Sequence, residues 1–150
     1  NPKLLIADEP TTSLDVTTQA QIIRLLKNMK SELGMSVILI THNLALTSNF
    51  CDRLIIMYAS NMMETGRTKD ILNSPSHPYT RFLLDAVPDI EADKELVPIP
   101  GTTPDPINPP EGCKFHPRCP MSTDICKIET PPLFSVGDEH YSACWLYGRK

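Results

Sequence analysis

The 150-residue sequence lacks the features of two large classes of protein. It has no apolar run approaching the ~20 residues that span a bilayer as a helix. Its formal net charge is −4, so it has no surplus of basic residues that would favour nucleic acid as a partner. Aromatic residues are scarce at 6%, whereas apolar residues reach 41% and charged residues 21%. This length and composition predict about one ordinary globular domain.

Proline and cysteine are sparse in the first half of the sequence and concentrated in the second. Ten of the 15 prolines lie within residues 98–132, and four of the five cysteines lie within residues 113–144. Proline ends helices and cannot donate a hydrogen bond within a sheet, so we expect an irregular, loop-built extension there. We expect a core over residues 1–75 and an extension over residues 76–150, with the change in composition beyond about Pro88.

The core alternates apolar runs with amphipathic stretches, which predicts an α/β fold. Three continuous apolar runs, Leu4–Ala7, Val37–Ile40 and Leu54–Tyr58, are typical of parallel strands that are covered on both faces. Apolar residues at helical spacing over residues 17–33 predict a helix, which Gly34 would end. Further along, the pattern predicts a turn at Ser60-Asn61, a return strand ending at Gly66, and two short helices over about 68–72 and 79–86.

Two of these runs end in polar residues that are suited to phosphoryl transfer. The first run is followed by Asp8 and Glu9, and the second by His42. The carboxyl ends of adjacent parallel strands share one edge of a sheet, where α/β proteins bind ligands. There, Asp8 would hold Mg²⁺, Glu9 would orient or deprotonate the attacking water, and His42 would contact a phosphate. Taken singly, the same residues could be exposed strand-end acids and a structural histidine, and Asp15 could be only a helix N-cap.

The order of these residues resembles that of ATP-binding-cassette (ABC) ATPases. Residues 4–15 resemble the Walker B segment and D-loop of that group, and Thr41-His42 resembles its switch-histidine loop. A closer resemblance is to the ATP-binding subunits of bacterial oligopeptide and dipeptide importers. It rests on Asp8–Val16, Cys51–Arg53, Met57–Ala59, His77–Thr80, Pro98–Gly101, Gly112–Pro120 and Cys144-Trp145.

The resemblance implies a fold and a role for each matching residue. The fold would be α/β, the C-terminal part of a P-loop (RecA-like) ABC ATPase core, followed by a proline- and cysteine-rich irregular extension. Asp8 would bind Mg²⁺, Glu9 would be the general base, and His42 would sense the γ-phosphate of ATP. Ser13 and Asp15 would lie in the loop that faces a partner subunit across the nucleotide. The sequence departs from the usual pattern in having Ser13 for Ala, Asn43 for Asp and Ser60 for Gly.

The resemblance also implies partners, a location and an activity. A second ABC ATPase subunit would complete the nucleotide site, transmembrane permease subunits would couple it to transport, and a peptide-binding protein would act indirectly. Such a subunit lies peripherally at the cytoplasmic face of the cell membrane. None of the 6 glycines begins a G-x-x-x-x-G-K phosphate-binding loop. We therefore expect the C-terminal part of an ATPase, inactive by itself; the alternative is a metal-binding interaction module without ATPase activity.

The four cysteines of the extension form a second candidate site. Their spacing is C-x5-C-x6-C-x17-C, from Cys113 through Cys119 and Cys126 to Cys144. Four thiolates can bind either tetrahedral Zn²⁺ or an iron–sulfur cluster. Zinc sites usually contain C-x2–4-C pairs, which are lacking here, so the spacing favours the larger 4Fe–4S cluster over zinc or free thiols. The resemblance also implies a 4Fe–4S cluster in this part of the chain.

Other polar residues near the cysteines have plainer interpretations. His116 and His140 are alternative ligands or, as we expect, solvated loop residues. The segment His77–Thr80 predicts a helix start with an aromatic anchor. Cys51 lies outside the cluster of four and is expected to be a small buried apolar residue.

Overall fold

A computed structural model describes residues 2–87, 99 and 101–148. The chain divides into two compact units, Asn1–Cys51 and Asp52–Lys150. The described residues form the strands β1 (Leu4–Asp8), β2 (Ser36–Ile40), β3 (Arg53–Tyr58), β4 (Asn61–Arg67), β5 (Phe134–Gly137) and β6 (His140–Ser142). The helices are α1 (Val16–Leu33), α2 (Leu44–Phe50), α3 (Thr68–Asn73), α4 (Pro78–Asp85) and α5 (Asp124–Ile128), with short 3₁₀ helices at His116–Arg118 and Trp145–Tyr147.

The first unit is a β–α–β arrangement, as the sequence predicts. Strands β1 and β2 pair in parallel, with a register that runs from Leu4 opposite Ser36 to Asp8 opposite Ile40. Helix α1 connects them and buries Ile23 and Leu26. These two side chains form an apolar cluster with Phe50, against which Leu5, Ala7, Val37, Leu39 and Cys51 pack.

The prediction that both faces of this parallel sheet are covered is wrong for the described residues. The side chains of Leu4, Ile6, Ile38 and Ile40 are about half exposed, at 47%, 61%, 49% and 48%. The reason lies in the two-residue period of strands: the alternate residues point to α1, and these four point to the other face. One helix therefore covers one face only.

Local signals at the ends of the helices of the first unit agree with the sequence. Gly34 follows α1 with φ of 61°, the left-handed conformation that glycine adopts readily at a helix end. Helix α2 was not predicted, because its seven residues carry no clear apolar period. Its N-cap is Asn43, whose side chain accepts a hydrogen bond from Ala45 N at 3.1 Å.

The second unit contains an antiparallel sheet with the strand order β3-β4-β6-β5. The prediction that the run at Leu54–Tyr58 continues the parallel sheet is therefore wrong. The chain reverses through Ala59 and Ser60, which have φ of 44° and 62°, and β3 pairs with the predicted return strand β4. Side chains alternate along β3 between exposed and buried, as expected for a strand with one covered face.

The extension supplies two strands to this sheet and is more regular than the prolines suggest. Strand β6 pairs with β4, with Glu64 opposite Ser142 and Thr65 opposite Tyr141. The compact units consequently separate between Cys51 and Asp52, whereas the division into family regions after residue 75 stays a prediction. Residues 88–98 and 100 lie outside the described residues.

Phe115 occupies the centre of the second unit and is 0% exposed. It forms a buried cluster with Tyr58, Met63 and Cys113. The rings of Tyr58 and Tyr79 lie 5.3 Å and 5.2 Å from its ring, centroid to centroid. Aromatic packing of this kind adds about 0.5–1.5 kcal/mol per pair to the free energy of burial. Tyr79, the predicted aromatic anchor, thus packs against Phe115, two residues after Cys113.

Candidate functional site

The first candidate site lies at the carboxyl end of β1, where Asp8 and Glu9 stand side by side. The chain leaves the strand sharply at this point, since Glu9 has φ of 47°, although its backbone N–H still donates to Ile40 O at 2.9 Å. A non-glycine residue in this conformation is strained, and such strain is common at functional sites. The turn places the Glu9 carboxylate beside the residues that follow β2.

The structure brings Glu9 and His42 together, as the sequence predicts. The Nδ1 atom of His42 lies 3.0 Å from Oε1 and 2.9 Å from Oε2 of Glu9. The Thr12 hydroxyl donates to Oε2 at 2.6 Å. These hydrogen bonds, that of Thr12 first and that of His42 second, lower the pKa of Glu9 below its ordinary value. The carboxylate is therefore ionised at neutral pH and able to accept a proton.

Thr12 is a partner of Glu9 that the sequence reasoning missed. It lies three residues after the acid, a spacing that suits a turn in which a hydroxyl reaches back to a carboxylate. The backbone closes the same turn, because Thr12 N donates to Glu9 O at 3.1 Å. The signal was present in the sequence, but threonine at that spacing is common in turns without a functional role.

The other predicted residues of this site lie in the turn or at the start of α1. Asp15 is the N-cap of α1, and its carboxylate accepts from Thr18 N at 3.0 Å and from Thr18 Oγ1 at 2.6 Å. The same hydrogen bonds lower the pKa of Asp15. Ser13 has φ of 62°. Within the described residues, no hydrogen bond joins Asp8, Ser13 or Asp15 to the Glu9–His42 pair.

The second candidate site is a cavity of about 120 Å³ in the second unit. This volume is several times the ~10–15 Å³ that a single water needs. All four cysteines of the extension line it, together with four histidine or aromatic side chains: Cys113, Cys119, Cys126, Cys144, His77, His116, Phe115 and Trp145. The spacing of the cysteines in the sequence therefore corresponds to one place in the fold.

Short backbone elements bring the cysteines to this cavity. Cys113 N donates to Cys126 O at 2.9 Å, which ties the first cysteine to α5. Cys119 ends the 3₁₀ helix that begins at His116, and Cys144 precedes the second 3₁₀ helix. Gly112 has φ of 60°, and a Cβ atom at this position would lie 2.4 Å from Cys126 O. Glycine is therefore required where the two cysteine-bearing segments meet.

The side chains that line the cavity are not arranged as a preformed metal site, whether for zinc or for a 4Fe–4S cluster. Over residues 2–87, 99 and 101–148, no group of three or more His, Cys, Asp or Glu side chains is arranged so that it could hold one. Burial raises the pKa of Cys113 and Cys119, and it raises the pKa of Cys144 to about 11. Metal binding would therefore have to displace protons from these thiols. A preformed mononuclear zinc site is not supported.

A buried polar centre lies next to the cavity and was not predicted. The Glu64 carboxylate, 0% exposed, accepts hydrogen bonds from Ser76 N at 2.8 Å and from His77 N at 2.9 Å. His140 Nε2 lies 2.6 Å from its Oε1 atom. The expectation that His140 is a solvated loop residue is wrong, because its side chain packs under the sheet against this carboxylate. His116 is partly buried, with its Nδ1 atom 2.9 Å from Cys113 O.

His77 is held in one orientation by the start of α4. It is the N-cap of that helix, and its Nδ1 atom accepts from Tyr79 N at 3.0 Å. Burial lowers the pKa of His77 to about 4, against opposing contributions from Glu64 and the Ala143 backbone. The ring is therefore neutral at pH 7. Its Nε2 atom is buried and, apart from this contribution of the Ala143 backbone, has no hydrogen-bond partner.

No helix among the described residues is long and apolar enough to cross a membrane.

Comparison with known proteins supports the resemblance of this chain to the ATP-binding subunits of peptide importers. Residues 63–126 match the family described as the oligopeptide/dipeptide transporter, C-terminal region. The chain is 50% identical over 145 residues to a peptide import ATP-binding protein of Brucella melitensis. It is 48% identical over 148 residues to the oligopeptide transport ATP-binding protein OppD of Bacillus subtilis, and 49% over 144 residues to the dipeptide transport ATP-binding protein DppD of Escherichia coli.

These alignments cover 96%, 97% and 95% of this chain, but 43%, 41% and 44% of the respective relatives. The chain thus spans less than half the length of the curated relatives that it matches. Its parallel β–α–β unit is of the α/β class, and the relatives that it resembles are ATP-binding proteins. More narrowly, the chain is similar to the ATP-binding proteins of oligopeptide and dipeptide transport, as its motifs predict.

Proposed function

We propose that this chain carries the hydrolytic half of an ATP site in an importer of oligopeptides or dipeptides. The observation that carries the proposal is the contact between Glu9 and His42 at the end of β1. Glu9 is ionised and exposed, so it can accept a proton from a water that attacks the γ-phosphate of ATP. His42 both orients this carboxylate and reaches the same edge of the sheet.

Asp8 is the proposed ligand of Mg²⁺, directly or through a water. Its backbone is fixed by the parallel pairing with Ile40, and it is exposed at the end of the strand. Carboxylate oxygen is the ligand type that Mg²⁺ prefers in phosphoryl-transfer sites. The phosphate-binding loop that such a site needs does not occur in this sequence, so we expect the chain alone to be inactive.

Partners and location follow from the same proposal. Ser13 and Asp15 are proposed to face a second ATPase subunit across the nucleotide, and permease subunits would receive the mechanical output. The relatives of known name are ATP-binding proteins of peptide or dipeptide transport, which supports this assignment of the substrate class. The chain would then act at the cytoplasmic face of the membrane.

The test of the ATPase role is a matched pair of variants in the full-length transporter. Glu9→Gln removes the proton acceptor and keeps the shape, so we expect the hydrolysis rate to fall about 10²–10⁴-fold with ATP binding retained. Glu32→Gln, on the exposed side of α1, is the control and should leave the rate unchanged. Equal rates in the two variants would contradict the role of Glu9. Turnover by the isolated 150-residue chain that Glu9→Gln abolishes would contradict its expected inactivity.

We further propose that the cysteine cavity holds a 4Fe–4S cluster. Each cysteine of such a cluster binds its own iron, whereas the four ligands of Zn²⁺ must converge on one point. Four cysteines that line one cavity, without the C-x2–4-C pairs of zinc sites, fit the first arrangement better. When bound, the cluster would supply four metal–sulfur bonds that crosslink α5, the two 3₁₀ helices and the loop at Gly112.

Analysis of anaerobically purified full-length protein tests the cluster. We expect about four iron and four sulfide per chain, lost in Cys119→Ser and retained in Cys51→Ser, since Cys51 belongs to the first unit and does not line the cavity. Trp145 lines the cavity, so the cluster should quench its fluorescence. Stoichiometric zinc in a colourless protein would contradict the cluster and indicate a purely structural zinc ion.

The second candidate function is a metal-binding interaction module without ATPase activity, and the cavity is the observation that favours it. The two functions separate in one comparison. If Cys119→Ser abolishes peptide uptake and Glu9→Gln does not, the module is the function. The opposite result supports the ATPase and leaves the metal site as a structural part.

A further inference from the structure

The hydroxyl of Thr12 makes a short hydrogen bond to the carboxylate of Glu9. It donates to Oε2 at 2.6 Å, whereas Nδ1 of His42 lies 2.9 Å from Oε2 and 3.0 Å from Oε1. The His42 backbone adds a smaller contribution. A hydrogen bond from a hydroxyl to a carboxylate is charge-assisted, and at this length it is one of the stronger kinds. The contact with Thr12 is therefore tighter than the contact with the His42 ring.

The local chain sets the position of the Thr12 hydroxyl. Thr12 N donates to Glu9 O at 3.1 Å, and Glu9 N donates to Ile40 O at 2.9 Å, so the backbone of the turn is fixed at both residues. Threonine is branched at Cβ, which restricts the rotation of its side chain. His42, by contrast, follows the other strand, and its side chain is 76% exposed. Thr12 is thus the partner of Glu9 that belongs to the same turn.

An exposed glutamate needs such a restraint if it is to act on one water molecule. The Glu9 side chain is 38% exposed, and a side chain of this length has several rotamers to choose from. A general base has to lie within about 2.6–3.2 Å of the atom that gives up its proton, and a displacement of about 1 Å can cost ~10²-fold in rate. The bond to Thr12 limits this freedom and still leaves the carboxylate open to water.

We propose that the hydroxyl of Thr12 positions the Glu9 carboxylate for hydrolysis by holding it beside the residues that follow β2. This inference rests on the ATPase function proposed above. In the reaction, the water oxygen forms a bond to the γ-phosphorus of ATP, the bond to the ADP oxygen breaks, and the proton of the water passes to Glu9. Thr12 is a positioning residue, because it acts on this step only through the orientation of Glu9.

Two variants of Thr12 separate the hydroxyl from the shape of the side chain. Thr12→Val keeps the branch and removes the hydroxyl, whereas Thr12→Ser keeps the hydroxyl and removes the methyl group. In the full-length transporter, we expect Thr12→Val to lower kcat about 10-fold and to leave KM for ATP unchanged. Thr12→Ser should retain most of the wild-type kcat. Thr17→Val, the same change at an exposed position of α1, is the control and should leave both constants unchanged.

A double variant tests whether Thr12 acts through Glu9. Residues that contribute to one step through the same group are not additive. Thr12→Val should therefore cause no further loss of kcat in a transporter that already carries Glu9→Gln. A second loss of about 10-fold would show that Thr12 acts independently of Glu9 and would overturn the inference.

The remaining outcomes distinguish this inference from the ATPase function itself. Equal kcat in wild type and Thr12→Val, an equal loss in Thr12→Val and Thr12→Ser, or a rise in KM alone would overturn the role of the hydroxyl. A loss in Glu9→Gln would still leave the ATPase function standing. Unchanged hydrolysis in Glu9→Gln would overturn both. If Thr12→Val does not fold, Thr12→Ala replaces it with the same expected loss, because Thr12 is exposed and alanine also keeps the backbone N–H of the turn.

Discussion

Each of the two units contains a pair of a glutamate and a histidine, in opposite surroundings. In the first unit, Glu9 and His42 lie 2.9 Å apart with side chains that are 38% and 76% exposed. In the second unit, Glu64 and His140 lie 2.6 Å apart, and their side chains are 0% and 7% exposed. The side chains of the exposed pair can form hydrogen bonds with a ligand, whereas those of the buried pair are enclosed by the protein.

The difference shows why residue type alone does not assign function. An exposed pair of this kind contributes little to stability, so its geometry is not set by folding alone. A buried carboxylate that accepts three hydrogen bonds is costly to leave partly satisfied, so its geometry is fixed by folding. The buried centre of the second unit therefore supports a site indirectly, by fixing His77 beside the cysteine cavity.

The largest expected effect comes from removing the buried carboxylate. Glu64→Ala leaves Ser76 N, His77 N and the His140 ring without their acceptor, so we expect the free energy of unfolding to fall by about 3–5 kcal/mol. Glu9→Ala is the matched control and should have little effect on stability. Denaturant titration of both variants measures the difference, and a similar small loss in each would contradict the contrast between the pairs.

Two glycines with nearly the same backbone conformation make a second comparison of the units. Gly34 has φ of 61°, and a Cβ atom added there would meet no atom within 4 Å, whereas at Gly112 the φ is 60° and a Cβ would meet Cys126 O at 2.4 Å. Gly34→Ala should cost about 1–2 kcal/mol from the left-handed conformation alone. Gly112→Ala adds an overlap with the backbone, for a total of about 2–5 kcal/mol. We expect Gly112→Ala to lose bound iron, because it disturbs the cavity, and Gly34→Ala to retain it.

The buried histidine also predicts a pH dependence of stability that belongs to the second unit. The pKa of His77 is about 4 in the folded protein, against the ordinary value of 6.5 for a histidine exposed to water. The unfolded chain therefore binds a proton first as the pH falls, and stability is lost between about pH 6.5 and pH 4. The full loss is about 3 kcal/mol, at 1.36 kcal/mol per pKa unit. In His77→Gln this part of the pH dependence of unfolding should disappear. An unchanged profile would contradict the assignment of this pH dependence to His77.

The β–α–β arrangement of the first unit could be predicted from the sequence, because its signals are local. A continuous apolar run, a helical period and a terminal glycine each act over a few residues, and two parallel strand ends necessarily share an edge. That edge placed Glu9 and His42 near each other, whereas their direct contact is seen only in the structure. The sequence also did not reveal helix α2, which has no clear apolar period, or Thr12, since a hydroxyl in a turn has many possible partners.

The second unit could be predicted only in part, because its decisive contacts join distant residues. Glu64 and His140 are 76 positions apart, and β6 enters the sheet beside β4 from beyond the proline-rich segment. Cysteine spacing indicated a shared site because the residue type is rare and its chemistry is restricted. A lone glutamate in a strand carries no comparable signal, so the centre that fixes His77 was visible only in the structure.

The smallest expected effects concern two serines that share a φ of 62°, Ser13 in the first unit and Ser60 in the second. A non-glycine residue in this conformation lowers the free energy of unfolding by about 1–2 kcal/mol relative to glycine. Glycine has the greater conformational entropy in the unfolded chain, and this offsets about 0.5–1 kcal/mol of that difference. Ser60→Gly and Ser13→Gly should therefore each raise the free energy of unfolding by roughly 0.5–1 kcal/mol. Thermal unfolding that separates the two units would show the gain in the unit that carries each change. If Ser60→Gly stabilises its unit and Ser13→Gly does not, contacts beyond the local backbone fix the conformation of Ser13. The loop that is proposed to face a partner subunit would require such contacts.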